Sequence, residues 1–270
     1  MRLLRPLEAS VVPRDFVLAR VRGRRRGLPG RRESEPWVAV LAETRWLYRR
    51  LDPGWRRELG PLLSLLEIRQ LGNALRRRRG GDAAGCAAAL AGTLLAVELV
   101  TPLAGEMTEA QLVAALAEHC GLGFVAGLRE FEAHLTDRVL TAAAAAARNP
   151  AVQLVIAGLI DGRNLLTVQK QLRWDGPEPS LLPGGEVPAR RLAALWRQGE
   201  VTAVAALAQR RFGLAATGAA WAQQVPAALG QRLRRLGPDP LEFSLLLESL
   251  CRYLVSAPAG AETGMAEATP

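Results

Sequence analysis

The sequence contains few of the residue types from which catalytic and metal-binding sites are usually built. It has two histidines and three cysteines, and the cysteines are far apart and odd in number. They therefore predict neither a disulfide framework nor a zinc site, and they favour a reducing compartment, the cytoplasm. The partners in a nucleophilic site can be distant in sequence, but nothing in this sequence supports one. We expect a protein that is not an enzyme and has no metal or cofactor.

Glycine-rich phosphate loops and long apolar runs are also missing. The pair Gly184–Gly185 is not followed by the lysine and hydroxyl residue of a phosphate-binding loop, and no G-x-G-x-x-G motif follows a predicted strand. The longest apolar run, 83–97, is too short and too rich in alanine and glycine to span a bilayer. The first residues lack the apolar segment of a signal peptide. We expect no transmembrane segment in this chain.

Lysine is nearly absent, because Lys170 is the only lysine among 35 basic residues. Aromatic residues make up 5% of the chain, whereas alanine, leucine and arginine are abundant, and this composition favours helices throughout. The 26 acidic residues leave a formal net charge of +9. A charge of that size indicates an acidic partner, anionic lipid headgroups or nucleic acid.

Two helix starts are marked by capping residues. Thr108 followed by Gln111 is a capping-box pattern, which predicts that a helix begins directly after Thr108. Asn149 followed by Pro150 predicts a second start, because asparagine caps helices well and proline is tolerated in their first turn.

The helix after Asn149 carries two polar residues, Asp161 and Asn164, on an otherwise apolar face. Polar groups in such a place need hydrogen-bond partners, because losing water without replacement is costly. A catalytic aspartate is the less favoured interpretation, since no histidine or second carboxylate lies beside it at helical spacing. We interpret both side chains as satisfied inside a helical bundle.

A long helix followed by a glycine turn occurs twice in the sequence. The two halves of the repeat align at different offsets, and we assign the difference to an insertion in the small-residue segment 80–92, which we interpret as a loose linker. Residues 240–255 resemble the start of a third, truncated copy. The aligned pairs are Glu67 with Asp161 and Gln70 with Asn164, offset by 94 residues, and Gly105 with Gly185, offset by 80.

Four consecutive arginines, 76–79, end the first of these helices. One interpretation is a solvated helix end whose positive charge complements the helix dipole. The other is a contact for phosphate or carboxylate groups. The sequence leaves both open.

Several segments together resemble the C subunit of bacterial and archaeal V-type (A-type) ATP synthases, equivalent to subunit d of the eukaryotic vacuolar proton pump. That family has a D-x-x-N-[IL]-x-T-[LIV] helix ending in basic residues, then an [LI]-x-P-G-G turn, and residues 161–170 and 182–185 match this pattern. Residues 16–28 are similar to the family's opening helix, and residues 65–78 to a first copy of the motif helix. The residues that carry the resemblance are Arg20, Arg22, Glu67, Gln70, Arg76, Asp161, Asn164, Thr167, Lys170, Pro183, Gly184 and Gly185.

The resemblance implies an all-α fold of three similar helical bundles around a pseudo-threefold axis, shaped like a funnel. It implies a non-catalytic central-stalk subunit of a rotary ATPase, which couples the central shaft to the membrane proteolipid ring during proton or sodium transport. The implied partners are the central-shaft subunits and the proteolipid ring, with the stator membrane subunit as a further contact. The implied location is the cytoplasmic face of the membrane, as a peripheral protein.

We expect residues 1–100, 101–185 and 186–256 to form the three bundle units, and residues 257–270 to form a disordered tail. The alternative function is a basic helical protein that binds nucleic acid or serves as an adaptor. Arginine is spread along the chain and no known nucleic-acid docking motif is present, so we expect no nucleic-acid partner.

Overall fold

The structure, a computed structural model, describes residues 3–5, 12–27, 36–213 and 221–236. The predicted tail and the predicted third copy of the repeat lie outside these residues. The described part is all-α, as predicted, and its only β contact is a single antiparallel bridge between Leu4 and Leu95. Its helices are α1 Arg14–Gly27, α2 Pro36–Arg50, α3 Pro53–Arg79, α4 Ala83–Leu90, α5 Val97–Ala104, α6 Glu109–His119, α7 Leu128–Ala146, α8 Pro150–Arg173, α9 Ala189–Arg197, α10 Val201–Phe212 and α11 Trp221–Arg234.

Both predicted helix starts are confirmed. The Asn149 side chain accepts a hydrogen bond of 2.9 Å from the backbone N–H of Ala151, at the start of α8. The Thr108 hydroxyl accepts one from the N–H of Gln111, and the Gln111 side chain accepts one from the N–H of Thr108. This reciprocal capping box begins α6.

The segment 80–92 is not a loose linker, and that prediction is wrong. Residues Ala83–Leu90 form α4, which packs against α3 and buries Cys86. Alanine is the best helix former, so a run of alanines needs only a cap to become helical. Asp82 supplies the cap by accepting a hydrogen bond of 2.7 Å from the N–H of Gly85.

The chain divides into two compact units, and each has its own apolar core. Unit 1 comprises Met1–Arg14 and Glu43–Ala146, and unit 2 comprises Asp15–Ala42 and Ala147–Pro270. The core of unit 1 lies among α3, α5, α6 and α7, and its largest fully buried side chain is that of Phe131. The core of unit 2 lies among α8, α9, α10 and α11. The predicted division into three units stays a prediction.

The two units contain the same succession of helices at a nearly constant spacing. The ends of α3 and α8 are 94 residues apart, at 79 and 173, and the starts of α5 and α9 are 92 apart, at 97 and 189. The starts of α6 and α10, at 109 and 201, and of α7 and α11, at 128 and 221, are 92 and 93 apart. Only α4 has no counterpart in this series, since no helix lies between Arg173 and Ala189.

Helix α8 is the one described helix that is long and apolar enough to cross a bilayer, judged by length and composition. A buried core helix passes the same test, and 61% of the apolar window of α8 is buried inside the protein. Eleven residues of this helix are buried, and all of them except Asp161 and Asn164 are apolar or glycine, which accounts for the apolar character of the helix.

The described cysteines, Cys86 and Cys120, are buried free thiols. Burial raises the pKa of both, and it raises that of Cys120 to about 11. The thiolate is the form that attacks thiol reagents, so neither residue should react while the protein is folded.

We expect that in a Cys251→Ser variant no thiol reacts with Ellman's reagent at mildly alkaline pH before denaturant is added, and that both remaining thiols react afterwards. The substitution removes the cysteine that lies outside the described residues. Rapid reaction of one thiol in the folded protein would contradict the packing around α4 or α6.

Candidate functional site

Asn164 of α8 holds the loop that follows this helix. Its side chain is almost fully buried, and its Nδ2 donates a hydrogen bond of 2.8 Å to the carbonyl of Leu182. The N–H of Leu182 donates one of 2.9 Å back to Oδ1. The amide therefore pairs with both backbone groups of one residue, as a neighbouring β-strand would.

Asp161, one turn earlier on α8, binds the next part of the same loop. Its carboxylate is completely buried and accepts hydrogen bonds from the N–H groups of Glu186, at 3.3 Å, and Val187, at 3.0 Å. It also accepts one of 2.9 Å from Nε of Arg211, on α10. All three contacts are donors to one anion, so this carboxylate fastens the loop and α10 to α8.

Four side chains at this site form a row in which acidic and basic groups alternate: Asp161, Arg211, Glu186 and Arg232. Arg211 contacts Glu186 through Nη1 at 2.5 Å, and Arg232 of α11 contacts the same carboxylate at 2.8 Å. Burial raises the pKa of Asp161, although the donors around it act in the opposite direction. Partial burial would also raise the pKa of Glu186, but the hydrogen bonds from the two arginines outweigh it and lower that pKa.

The turn at Pro183, Gly184 and Gly185 fits closely over Asp161. Gly184 has a φ of +93°, a region that favours glycine, and Pro183 is exposed. A Cβ at Gly185 would lie 2.2 Å from Oδ1 of Asp161. The turn needs glycine here because its backbone passes directly over the carboxylate.

Replacing Gly185 by alanine should destabilise the protein by about 1–3 kcal/mol, because Asp161 or the loop must move to admit the methyl group. Urea unfolding measures this change. The matched control is Gly123→Ala, at a glycine whose Cβ would meet no atom within 4 Å, and it should be neutral or slightly stabilising. Equal losses in the two variants would contradict the close approach of the turn.

Glu67 and Gln70 occupy the corresponding positions on α3 in unit 1. Glu67 is completely buried and accepts two hydrogen bonds from Arg45 of α2, at 2.8 and 3.0 Å, and one of 3.2 Å from the N–H of Leu94. Gln70 is also buried, but its Nε2 has no hydrogen-bond partner in the described part of the chain. Both units thus contain a buried carboxylate that fastens the following loop. The pairing of a side-chain amide with the backbone of that loop is shown for Asn164 in unit 2.

This pairing corrects the second half of the predicted repeat. Leu94 and Val187, whose N–H groups bind the two carboxylates, are 93 residues apart, close to the offset of 94 between Glu67 and Asp161. Gly105 follows α5, whereas Gly185 precedes α9, so the alignment of these two glycines is wrong. The copies need no 14-residue insertion, because α4 occupies the positions that form a loop in unit 2.

The N-terminal residues complete the loop of unit 1. The N–H of Arg5 donates to the carbonyl of Leu94 at 2.8 Å, and the N–H of Ala96 donates to the carbonyl of Leu3 at 2.7 Å. Leu3 itself lies in the core. The loop is therefore held by Glu67 through one backbone group and by residues 3–5 through two others.

The four arginines that end α3 are engaged within unit 1. Arg76 pairs with Glu132 at 2.8 Å, Arg77 with Asp82 at 3.1 Å and Arg79 with Glu109 at 3.3 Å. The guanidinium of Arg78 donates hydrogen bonds to backbone carbonyls in the last turn of α5 and in the segment that follows this helix. These carbonyls belong to Pro102, Leu103, Gly105 and Met107. The run thus contacts carboxylates and carbonyls of its own chain, which weakens its interpretation as a phosphate-binding surface.

Of the remaining residues of the family pattern, Thr167 and Lys170 do not join these clusters. The Thr167 hydroxyl donates to the carbonyl of Arg163 on its own helix, at 2.9 Å, and Lys170 is exposed in the last turn of α8. Arg20 and Arg22 lie on α1, where Arg20 is half-buried. The side chain of Arg22 lies outside the described residues.

The histidine, cysteine, aspartate and glutamate side chains of the described structure form no group of three or more that could hold a metal ion. A groove of about 630 Å³ runs along α6, and its lining is apolar except for Glu109 and Glu118. The residues brought together at Asp161 and Glu67 instead fasten loops to helices.

Sequence reasoning missed the arginines that neutralise the two buried carboxylates. Arg45 lies 22 residues before Glu67, and Arg211 lies 50 residues after Asp161. A carboxylate on an apolar helical face requires a cation or several N–H donors, but in an arginine-rich chain this requirement does not single out one arginine.

Comparisons of the chain with protein-family models, with curated proteins and with solved structures found no match.

Proposed function

We propose that this protein is a non-catalytic central-stalk subunit of a rotary V/A-type ATPase, in which it couples the central shaft to the proteolipid ring. The observation that carries the proposal is the pairing of a D-x-x-N helix with a P-G-G turn. Asn164 binds the backbone directly before that turn and Asp161 the backbone directly after it, and Gly185 allows the close approach. The motif that carries the family resemblance is thus one connected structural element.

The repetition of this element supports the proposal. Glu67 fastens a loop after α3 as Asp161 fastens a loop after α8, and the helices around them follow each other at the same spacing. In the proposed assembly a third copy would complete a funnel of three bundles around a pseudo-threefold axis. A torque-transmitting socket needs stiff connections between helices, and buried ionic hydrogen bonds supply them.

The contacts of the described arginines on α2, α3, α10 and α11 weigh against nucleic-acid binding by these four helices. Seven arginines on α2, α3, α10 and α11 contact acidic side chains or carbonyls of the same chain and are not displayed as a basic stripe. They are Arg45, Arg76, Arg77, Arg78, Arg79, Arg211 and Arg232. A nucleic-acid surface requires arginines available to phosphates.

The test is affinity purification of the tagged full-length chain from detergent-solubilised, nuclease-treated membranes of its own host. We expect the shaft subunits, the proteolipid and ATPase activity to co-purify. The matched bait is the Asp161→Ala variant, whose loop is released from α8, and it should recover less of these partners. Recovery of RNA or ribosomal proteins from untreated lysate, with no membrane ATPase, would overturn the proposal.

A further inference from the structure

The net positive charge of this protein is concentrated in one short stretch, although arginines occur along the whole chain. Residues 14–32 contain eight arginines and a single acidic residue, Asp15, which gives this stretch a net charge of +7 out of the +9 of the whole chain. The rest of the sequence is close to neutral, with 27 basic and 25 acidic residues. A negatively charged partner is therefore attracted most strongly to this stretch.

Most of the stretch is the helix α1, Arg14–Gly27. Its first half is anchored, because Val17, Leu18 and Val21 are buried. Its last six residues, 22–27, are four arginines and two glycines, and none of the six is acidic or has an apolar side chain. The end of α1 is consequently a dense block of positive charge attached to a packed helix.

The other face of α1 is apolar and exposed. Phe16 is 52% exposed, and Ala19 and Gly23, which follow it at helical spacing, are exposed as well. A helix with an exposed apolar stripe and many arginines is typical of segments that lie in the interface of an anionic bilayer. There the arginines meet lipid phosphates while the phenyl ring enters the acyl boundary.

We propose that α1, with the arginines up to residue 32, binds the anionic headgroups of a membrane surface. A nucleic acid would satisfy the charge, but phosphate binding does not require the exposed apolar stripe. The proposal agrees with a position next to a membrane ring, yet it stands on the charge and exposure of α1. Its test uses vesicles without any ATPase, so it can fail while the proposed function holds, and the reverse is also true.

The experiment is co-sedimentation of the full-length chain with vesicles of phosphatidylcholine alone or mixed with phosphatidylglycerol. We expect binding to the anionic vesicles only, and a steep loss of binding as salt is added. An Arg24→Gln/Arg25→Gln/Arg26→Gln variant should bind about a hundredfold more weakly, given about 1 kcal/mol for each arginine near an anionic surface. Phe16→Ser should also weaken binding, but without changing its salt dependence.

The matched control removes the same charge elsewhere, in Arg173→Gln/Arg190→Gln/Arg191→Gln, at three exposed arginines outside α1. It should bind anionic vesicles nearly as well as the unaltered protein, and the thermal midpoints of all variants should be compared to show that they are folded. Equal loss in both triple variants would show a response to net charge alone. Binding to poly(U) RNA that depends on residues 24–26, without binding to anionic vesicles, would assign the block to RNA. Either result overturns the proposal.

Discussion

Replacing Asp161 by alanine should lower the free energy of unfolding by about 3–5 kcal/mol. The substitution leaves Arg211, whose side chain is only 13% exposed, without its buried partner, and it leaves the N–H groups of Glu186 and Val187 without an acceptor. Unpaired buried donors lose their hydration without replacement. Urea unfolding followed by circular dichroism measures the change.

The control for this prediction is Glu178→Ala. Glu178 faces Arg197 at 3.9 Å, and both side chains are largely exposed. Exposed pairs contribute little, so this variant should stay within about 0.5 kcal/mol of the unaltered protein. A loss for Asp161→Ala as small as that of the control would show that the carboxylate does not fasten the loop.

Replacing Glu67 by alanine should cost about as much, again about 3–5 kcal/mol. Arg45, with a side chain 11% exposed, then loses both hydrogen bonds from its guanidinium to the carboxylate, and the N–H of Leu94 loses its acceptor. The measurement is the same unfolding experiment.

A double variant separates charge from packing at this site. In Arg45→Met/Glu67→Met no charge remains buried without its partner, and replacing a buried ion pair by apolar side chains is often neutral. The double variant should therefore be more stable than Glu67→Ala, with a remaining cost of about 1–3 kcal/mol for the unsatisfied N–H of Leu94. If its loss equals the sum of the losses of Arg45→Met and Glu67→Met measured singly, the two side chains are not coupled.

The local features of the fold could be predicted from the sequence because they depend on neighbouring residues. The caps at Thr108 and Asn149 are set within four residues of each helix start, and both are confirmed. The all-α class follows from composition. The need of Asp161 and Asn164 for partners follows from their place on an apolar face, and the structure satisfies both.

The partners themselves could not be predicted, because they are distant in sequence and chemically common. Nothing marks Leu94 as the donor to Glu67, since the contact uses only its backbone N–H. The prediction of a loose linker in the segment that forms α4 is wrong for a different reason. Glycines at both ends suggested a linker, while the cap at Asp82 and the packing against α3 decide that it is helical.

The hydrogen bonds of Asn164 have a mechanical consequence. Its amide holds the N–H and the carbonyl of Leu182 at nearly equal lengths, 2.9 and 2.8 Å. A force that pulls the loop directly away from α8 acts on both hydrogen bonds at the same time. We therefore expect the two bonds to break together and not one after the other. Apolar contacts, which have no direction, would yield gradually under the same pull. We therefore expect the distance between Asn164 and Leu182 to change little under load until both hydrogen bonds break.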